Sequence, residues 1–196
     1  MMGSFLNFWA RRRPRRVNCA VLRVELRCRE QLTTSLEPEA AVAILSMITT
    51  RVASTVAEAS GIAHAVDAGD YLIAIPEDLN PNCHIDACRL VFRLASDARQ
   101  ILATAPTLPR SITENNLVAA GGTLGPTLLT ADSLPIPIIG ETASEAGRLL
   151  QMAKSIDVAM LASATLFDRL DSHVAMREHL LGKEIRAWEI LRVSEP

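Results

Sequence analysis

Aromatic side chains make up only 4% of the 196 residues, so a core must be built from Leu, Ile, Val and Ala rather than from stacked rings. No unbroken apolar run approaches the roughly 18 residues that would cross a bilayer. That predicts a soluble chain, attached to a membrane at most at one end. Cysteines are few: Cys19, Cys28, Cys83 and Cys88. The apolar stretch Met1 to Ala10 precedes its arginines instead of following them, which does not fit a secretory signal. Reduced thiols in a cytoplasmic protein are therefore expected. Cys83, His84 and Cys88 lack the spacing of a standard zinc site, and the cysteines read as small apolar residues. Basic charge is scarce beyond the N-terminus. Arg11, Arg12, Arg13, Arg15 and Arg16 are five of 20 basic residues, and the other 15 face 22 acids. An acidic body argues against nucleic-acid binding by the domain itself.

Apolar residues at 49% and charged residues at 21% describe a globular chain, and its length suits one domain with a real core. The expected division is a basic and apolar tail over 1–17 and a domain over 18–193. Phe5, Leu6, Phe8 and Trp9 beside the arginines leave two readings of the tail open: a frayed end or linker, and weak contact with an anionic membrane surface.

Within the domain, Cys19 to Leu26 alternates as a strand, with Ala20, Leu22, Val24 and Leu26 on one face. Pro38 to Ser60 has helical spacing from a Pro and acids in the first turn, and Gly61 is expected to stop it. Ile62 to Val66 and Tyr71 to Ile75 form a hairpin around Asp67-Ala68-Gly69-Asp70. His84 to Ala105 is a helix ended by Pro106 and Pro109. A strand starts at Leu117 to Ala120, where Gly121, Gly122 and Gly125 permit close approach or a bulge. Ile136 to Ile139 is a short apolar strand, and a helix from Gly140-Glu141-Thr142 runs to about Lys154. Val158 to Leu161 is a strand, Ser163 to Leu170 a helix, and Val174 to Val193 supplies two strands. The order β-α-β-β-α-β with further α/β units predicts an α+β, ferredoxin-like fold, its sheet antiparallel or mixed with helices on one face.

Five segments stand in an order that resembles one family. They are Val21-Leu22-Arg23-Val24-Glu25-Leu26-Arg27; Leu36-Glu37-Pro38-Glu39; Gly69-Asp70 with Tyr71-Leu72-Ile73-Ala74-Ile75; Gly140-Glu141-Thr142 through Gly147-Arg148-Leu149; and Gly182-Lys183 with Trp188-Glu189-Ile190-Leu191. Together they are similar to the class III adenylate and guanylate cyclase domain over residues 18 to 193. The resemblance implies in-line attack of a ribose 3′ oxygen on the α-phosphate of ATP or GTP. Two ions, Mg²⁺ or Mn²⁺, are held by two carboxylates, an Arg steadies charge developing on the phosphate, and an Asn orients the ribose. A Lys and a polar residue read the base, in a site shared by two domains of a homodimer or heterodimer.

Carried over position by position, the second metal carboxylate matches Asp70 and the phosphate-stabilising Arg matches Arg148. The first metal carboxylate falls on Glu25, one methylene longer than Asp. The ribose position falls on Ser144, which reaches less far than Asn. The base-reading Lys falls at or next to Val66, which donates nothing, and the base-selecting position falls on Pro137, which lacks a polar side chain and an N–H. Each retained residue also has a plain reading: turn former for Asp70 and Asp67, solvated edge charge for Glu25, surface ion pair with Glu145 or Glu141 for Arg148. His64 reads as a partly buried hairpin residue rather than a general base.

Three functions follow. The first is a degenerate cyclase-like domain in intracellular cyclic-nucleotide signalling, impaired in catalysis, with a regulatory or dimerisation role. The second is an active nucleotidyl cyclase, alone or as half of a heterodimer in which this chain supplies the metal face. The third is a ferredoxin-like interaction module unrelated to nucleotides.

Overall fold

Twelve residues, Arg15–Leu26, form a central strand β1 that is paired along both flanks. The computed structural model describes residues 14–104, 117–130, 137–170, 174–181 and 185–194. After β1 come α1 (Arg29–Ser35), α2 (Pro38–Glu58), β2 (Ile62–Asp67), β3 (Asp70–Pro76) and α3 (Cys83–Ala103). Then follow β4 (Val118–Leu129), β5 (Ile138–Ile139), α4 (Glu141–Ser155), β6 (Met160–Ala162), α5 (Ala164–Phe167), β7 (Val174–Leu181) and β8 (Ile185–Val193). The strands make one mixed sheet in the order β2-β3-β1-β4-β6-β8-β7, with β5 paired to β4. All pairings are antiparallel except β4 with β6, the strands joined through α4. The α+β class and the ferredoxin-like element order read from the sequence are those of the structure.

The sheet is covered on both faces, which corrects the expectation of helices on one face only. Leu22, Val24 and Leu26 of β1 pack with Ile48 and Val52 of α2 and Leu90, Val91 and Leu94 of α3. Cys19 and Val21 point the other way and pack with Leu72, Ala74 and Ala146 of α4. Leu149 and Ala153 continue that second layer over Leu161 and Ala187. Gly121 is why α4 can lie so close to β4. A Cβ there would stand 2.2 Å from the Ala146 carbonyl oxygen and 2.4 Å from the Leu150 nitrogen.

Several element boundaries differ from the hydrophobic pattern for identifiable reasons. β1 begins at Arg15 rather than Cys19, because backbone pairing with Leu128 and Leu129 continues under polar side chains that carry no apolar signal. The short α1 was not expected; Leu32 is its one buried residue, so it has no apolar period. α2 ends in a Schellman turn: the Gly61 N–H donates to the Val56 carbonyl at 2.9 Å and the Ser60 N–H to that of Ala57 at 3.0 Å. The left-handed residue is Ser60, with φ 59°, so Gly61 does not supply the turn. What Gly61 permits is closeness, since a Cβ would meet Val56 Cγ1 at 2.8 Å. Among the described residues, α2 is the one helix long and apolar enough to cross a membrane by length and composition, which Ser46, Thr49, Thr50 and Arg51 hide from a search for unbroken runs. In this fold Ile44, Leu45, Ile48, Val52 and Val56 are buried in the core.

Candidate functional site

The β2–β3 hairpin turns through Ala68 and Gly69, whose φ of 77° suits glycine. The turn puts Asp70 at the first position of β3, directly opposite Glu25 of β1. Directly opposed residues in an antiparallel pair share a face, with Cβ atoms about 5 Å apart. The sequence reading thus named two carboxylates that the fold does bring together. Both are buried, Glu25 at 6% and Asp70 at 8% exposure, so neither is the solvated edge charge or the simple turn former of the plain readings.

Neither carboxylate stands alone. Lys154, near the C-terminal end of α4, donates from Nζ to both oxygens of Glu25, at 2.8 and 2.9 Å. Arg23 sits two residues before Glu25 and so on the same strand face. It forks onto Asp70, Nε to Oδ1 at 2.6 Å and Nη2 to Oδ2 at 2.6 Å, the strong bidentate geometry. Arg29 adds a third cation, its Nε 3.6 Å from Glu25 Oε1 while its Nη1 holds Asp67 at 3.1 Å. Glu25, Asp70 and Asp67 therefore meet three cations of the same chain. Among the described residues no group of three or more His, Cys, Asp or Glu side chains could hold a metal ion.

A divalent ion does not fit this arrangement. Mg²⁺ requires several oxygen donors free to take near-octahedral places. Here the carboxylate oxygens already accept from an ammonium and a guanidinium, and a third cation cancels the remaining negative field. Arg23 was legible as a partner from period two, and Arg29 from the i,i+4 relation. Lys154, 129 residues from Glu25, had no local signal.

The other expected site residues lie elsewhere. Ser144 and Arg148 are one turn apart on α4, both exposed. The Ser144 hydroxyl turns back to the Gly140 carbonyl at 3.5 Å. Arg148 makes no ion pair with any described residue, and Glu145 accepts from Thr123 Oγ1 at 2.7 Å. Arg148 lines an open cleft of about 770 Å³ with Glu145, Met152, Asp168, Arg186 and Trp188. Trp188 stacks on Phe167 at a centroid distance of 4.3 Å. Pro137 is buried, and its carbonyl accepts from the Thr130 N–H at 2.9 Å. Val66 is the extra residue of a β-bulge between Ala65 and Asp67 and is 45% exposed. His64 is half-buried on β2.

No family model and no curated protein matches the sequence. Solved structures do match the fold. A bacterial light-regulated adenylyl cyclase superposes with a TM-score of 0.73 at 14% identity over 93% of this chain. The adenylyl cyclase CyaB from P. aeruginosa gives 0.71 at 15% over 91%. The fold is that of the class III adenylyl and guanylyl cyclase catalytic domains. The chain spans 54% of the light-regulated cyclase and 96% of CyaB. A guanylyl cyclase domain of the RhoGC fusion protein from the aquatic fungus Blastocladiella emersonii, solved in dimeric and in monomeric form, has the same cyclase fold. Its dimeric form gives a TM-score of 0.70 at 14% identity, covering 94% of this chain and 99% of its own. Within this cyclase fold, Lys154 and Arg23 sit on the two carboxylates that the family resemblance assigns to metal.

Proposed function

We propose that this chain is a non-catalytic cyclase-type domain that acts in intracellular cyclic-nucleotide signalling as a dimerisation or regulatory partner. One observation carries the reading: Lys154 holds Glu25 and Arg23 holds Asp70, both by two short hydrogen bonds. Loading two metal ions would require breaking both pairs and leaving two cations beside the incoming charge. The base side supports the same reading. Val66 and Pro137 offer no side-chain donor, and unpaired base edges cost binding and selectivity. The purified chain with ATP or GTP and either Mg²⁺ or Mn²⁺ is expected to give no cyclic AMP or GMP above background. Measurable product overturns the reading.

Arg148 favours a second one. It is exposed on α4 and without an ion pair among the described residues, which supports a role in meeting a phosphate held by a partner cyclase domain. This chain would then lend its α4 face, not its metal face, to a heterodimer. Mixing it with an intact cyclase chain and comparing Arg148→Ala separates the two: only the lending reading expects lower activity in the Arg148→Ala mixture. Within either reading the chain is cytoplasmic, and the Arg-rich head over 1–16 touches an anionic membrane surface weakly. Sedimentation with phosphatidylserine vesicles, with and without residues 1–16, tests that contact.

A further inference from the structure

On the sheet face opposite α4, the helices α2 and α3 leave an open groove of about 700 Å³ where they meet the end of β8, a size usual for a small-molecule site. It contains none of the residues that the family resemblance assigns to substrate or metal. β8 reaches the groove through a bulge. Successive strand residues ordinarily point to opposite faces, yet Leu191, Arg192 and Val193 all line it. Leu191 is the extra residue, since Met176 pairs with Ile190 and Ala175 with Arg192, and such a bulge re-aims the side chains beside it. We propose that the groove binds an amphipathic organic anion, with an apolar body and one phosphate or carboxylate head, and that Arg192 is the partner of the head.

Charge, a hydroxyl and an apolar wall each point to that ligand. The charged side chains of the groove are Arg89, Arg93 and Arg192 against Glu58 and Asp86, so one positive charge is in excess. Arg93 holds Glu58 at 2.6 Å, and Arg89 is 3.3 Å from Asp86. Arg192 is exposed and makes no ion pair with any described residue. Thr55 also lines the groove; it is 2% exposed, and its Oγ1 has no hydrogen-bond partner. On the same helix the hydroxyls of Thr49, Thr50 and Ser54 all donate back to carbonyls three or four residues earlier. A buried hydroxyl left unpaired is costly, and a ligand oxygen in the groove would pair it. Leu191, 43% exposed, and Phe92 give the apolar body its wall.

The test titrates the full chain by calorimetry with phenyl phosphate, benzoate and inorganic phosphate, and locates binding by amide chemical shifts. Phenyl phosphate or benzoate is expected to bind saturably, with shifts at Thr55, Phe92 and Leu191, and the tighter of the two names the head group. Inorganic phosphate lacks the apolar body and is expected to bind at least about tenfold more weakly than that probe. Arg192→Gln is expected to weaken the probe at least about tenfold and Thr55→Val about fivefold, the usual scale of a charged and of a neutral hydrogen bond. Arg99→Gln removes an exposed arginine of α3 outside the groove and is expected to leave affinity unchanged. Arg192 is exposed, so its variant keeps the fold and the test does not depend on Thr55→Val. Absence of saturable binding by both aromatic probes overturns the proposal, as do shifts confined to the Arg148 cleft, full affinity in Arg192→Gln, or an equal loss in Arg99→Gln. Inorganic phosphate bound as tightly as the aromatic probes overturns it too. The inference goes beyond the non-catalytic reading, which stands or falls separately on the assay for cyclic product.

Discussion

At the scale of single residues, the buried ionisable groups among the described residues are either paired or kept neutral. Glu25 and Asp70 have their cations. The thiols are buried free cysteines instead, and loss of hydration pushes Cys19 and Cys88 up to about 12 and Cys28 up to about 11. Thiols protonated at neutral pH are poor nucleophiles, so iodoacetamide is expected to label the native chain slowly and the urea-unfolded chain quickly. The same shifts set an alkaline limit. Below the ordinary thiol value of 9.0 both states hold the proton; above it only the folded thiols do. Stability therefore falls as pH rises from about 9 towards 11, by about 1 kcal/mol per pH unit for each such thiol. Urea midpoints across that range check it, and Cys88→Ala should flatten the slope. Lys154→Met alone leaves buried Glu25 without its close partner and is expected to cost about 3 kcal/mol in urea unfolding. The carboxylates were legible in the sequence because family order and hairpin chemistry mark them. The cation that quenches Glu25 was not, because it arrives from a distant helix.

At the scale of elements, apolar period located every long helix and most strands but missed those stabilised by backbone pairing alone. Arg15 to Asn18 and the stretch from Gly121 to Leu129 are strand because β1 and β4 hold each other in register for twelve residues, whatever their side chains. Element ends depended on backbone conformation that composition does not reveal. Both α2 and α4 close with a left-handed residue that is not glycine, Ser60 and Asp157. Ser60→Gly removes a conformational penalty of about 1 kcal/mol and is expected to raise Tm by about 2–4 °C. Gly121→Ala acts in the opposite direction. Its methyl would collide with the backbone of α4, an unyielding neighbour, and the expected loss is about 3 kcal/mol, with α4 displaced and Arg148 carried along.

At the scale of the whole molecule, two covered faces and a central β1 make a cyclase-type scaffold in which the corner holding Glu25 and Asp70 is closed by the chain's own cations. The family order in the sequence was enough to read the scaffold. Whether the corner was open or closed depended on how α4 crosses β1, which is settled only by three-dimensional packing. The position of β1 also has a consequence for synthesis. The first of the described strands is the one whose partners lie farthest from it along the chain, since Arg15 pairs with Leu129 and Cys19 with Pro76. At roughly 5–20 residues per second on the ribosome, β1 waits about ten seconds with an open edge rich in Val and Leu. Such distant pairing makes for slow folding. The nascent chain is therefore expected to depend on a chaperone during that interval, and truncation before residue 129 should yield an aggregating product, read out by sedimentation of ribosome-released fragments.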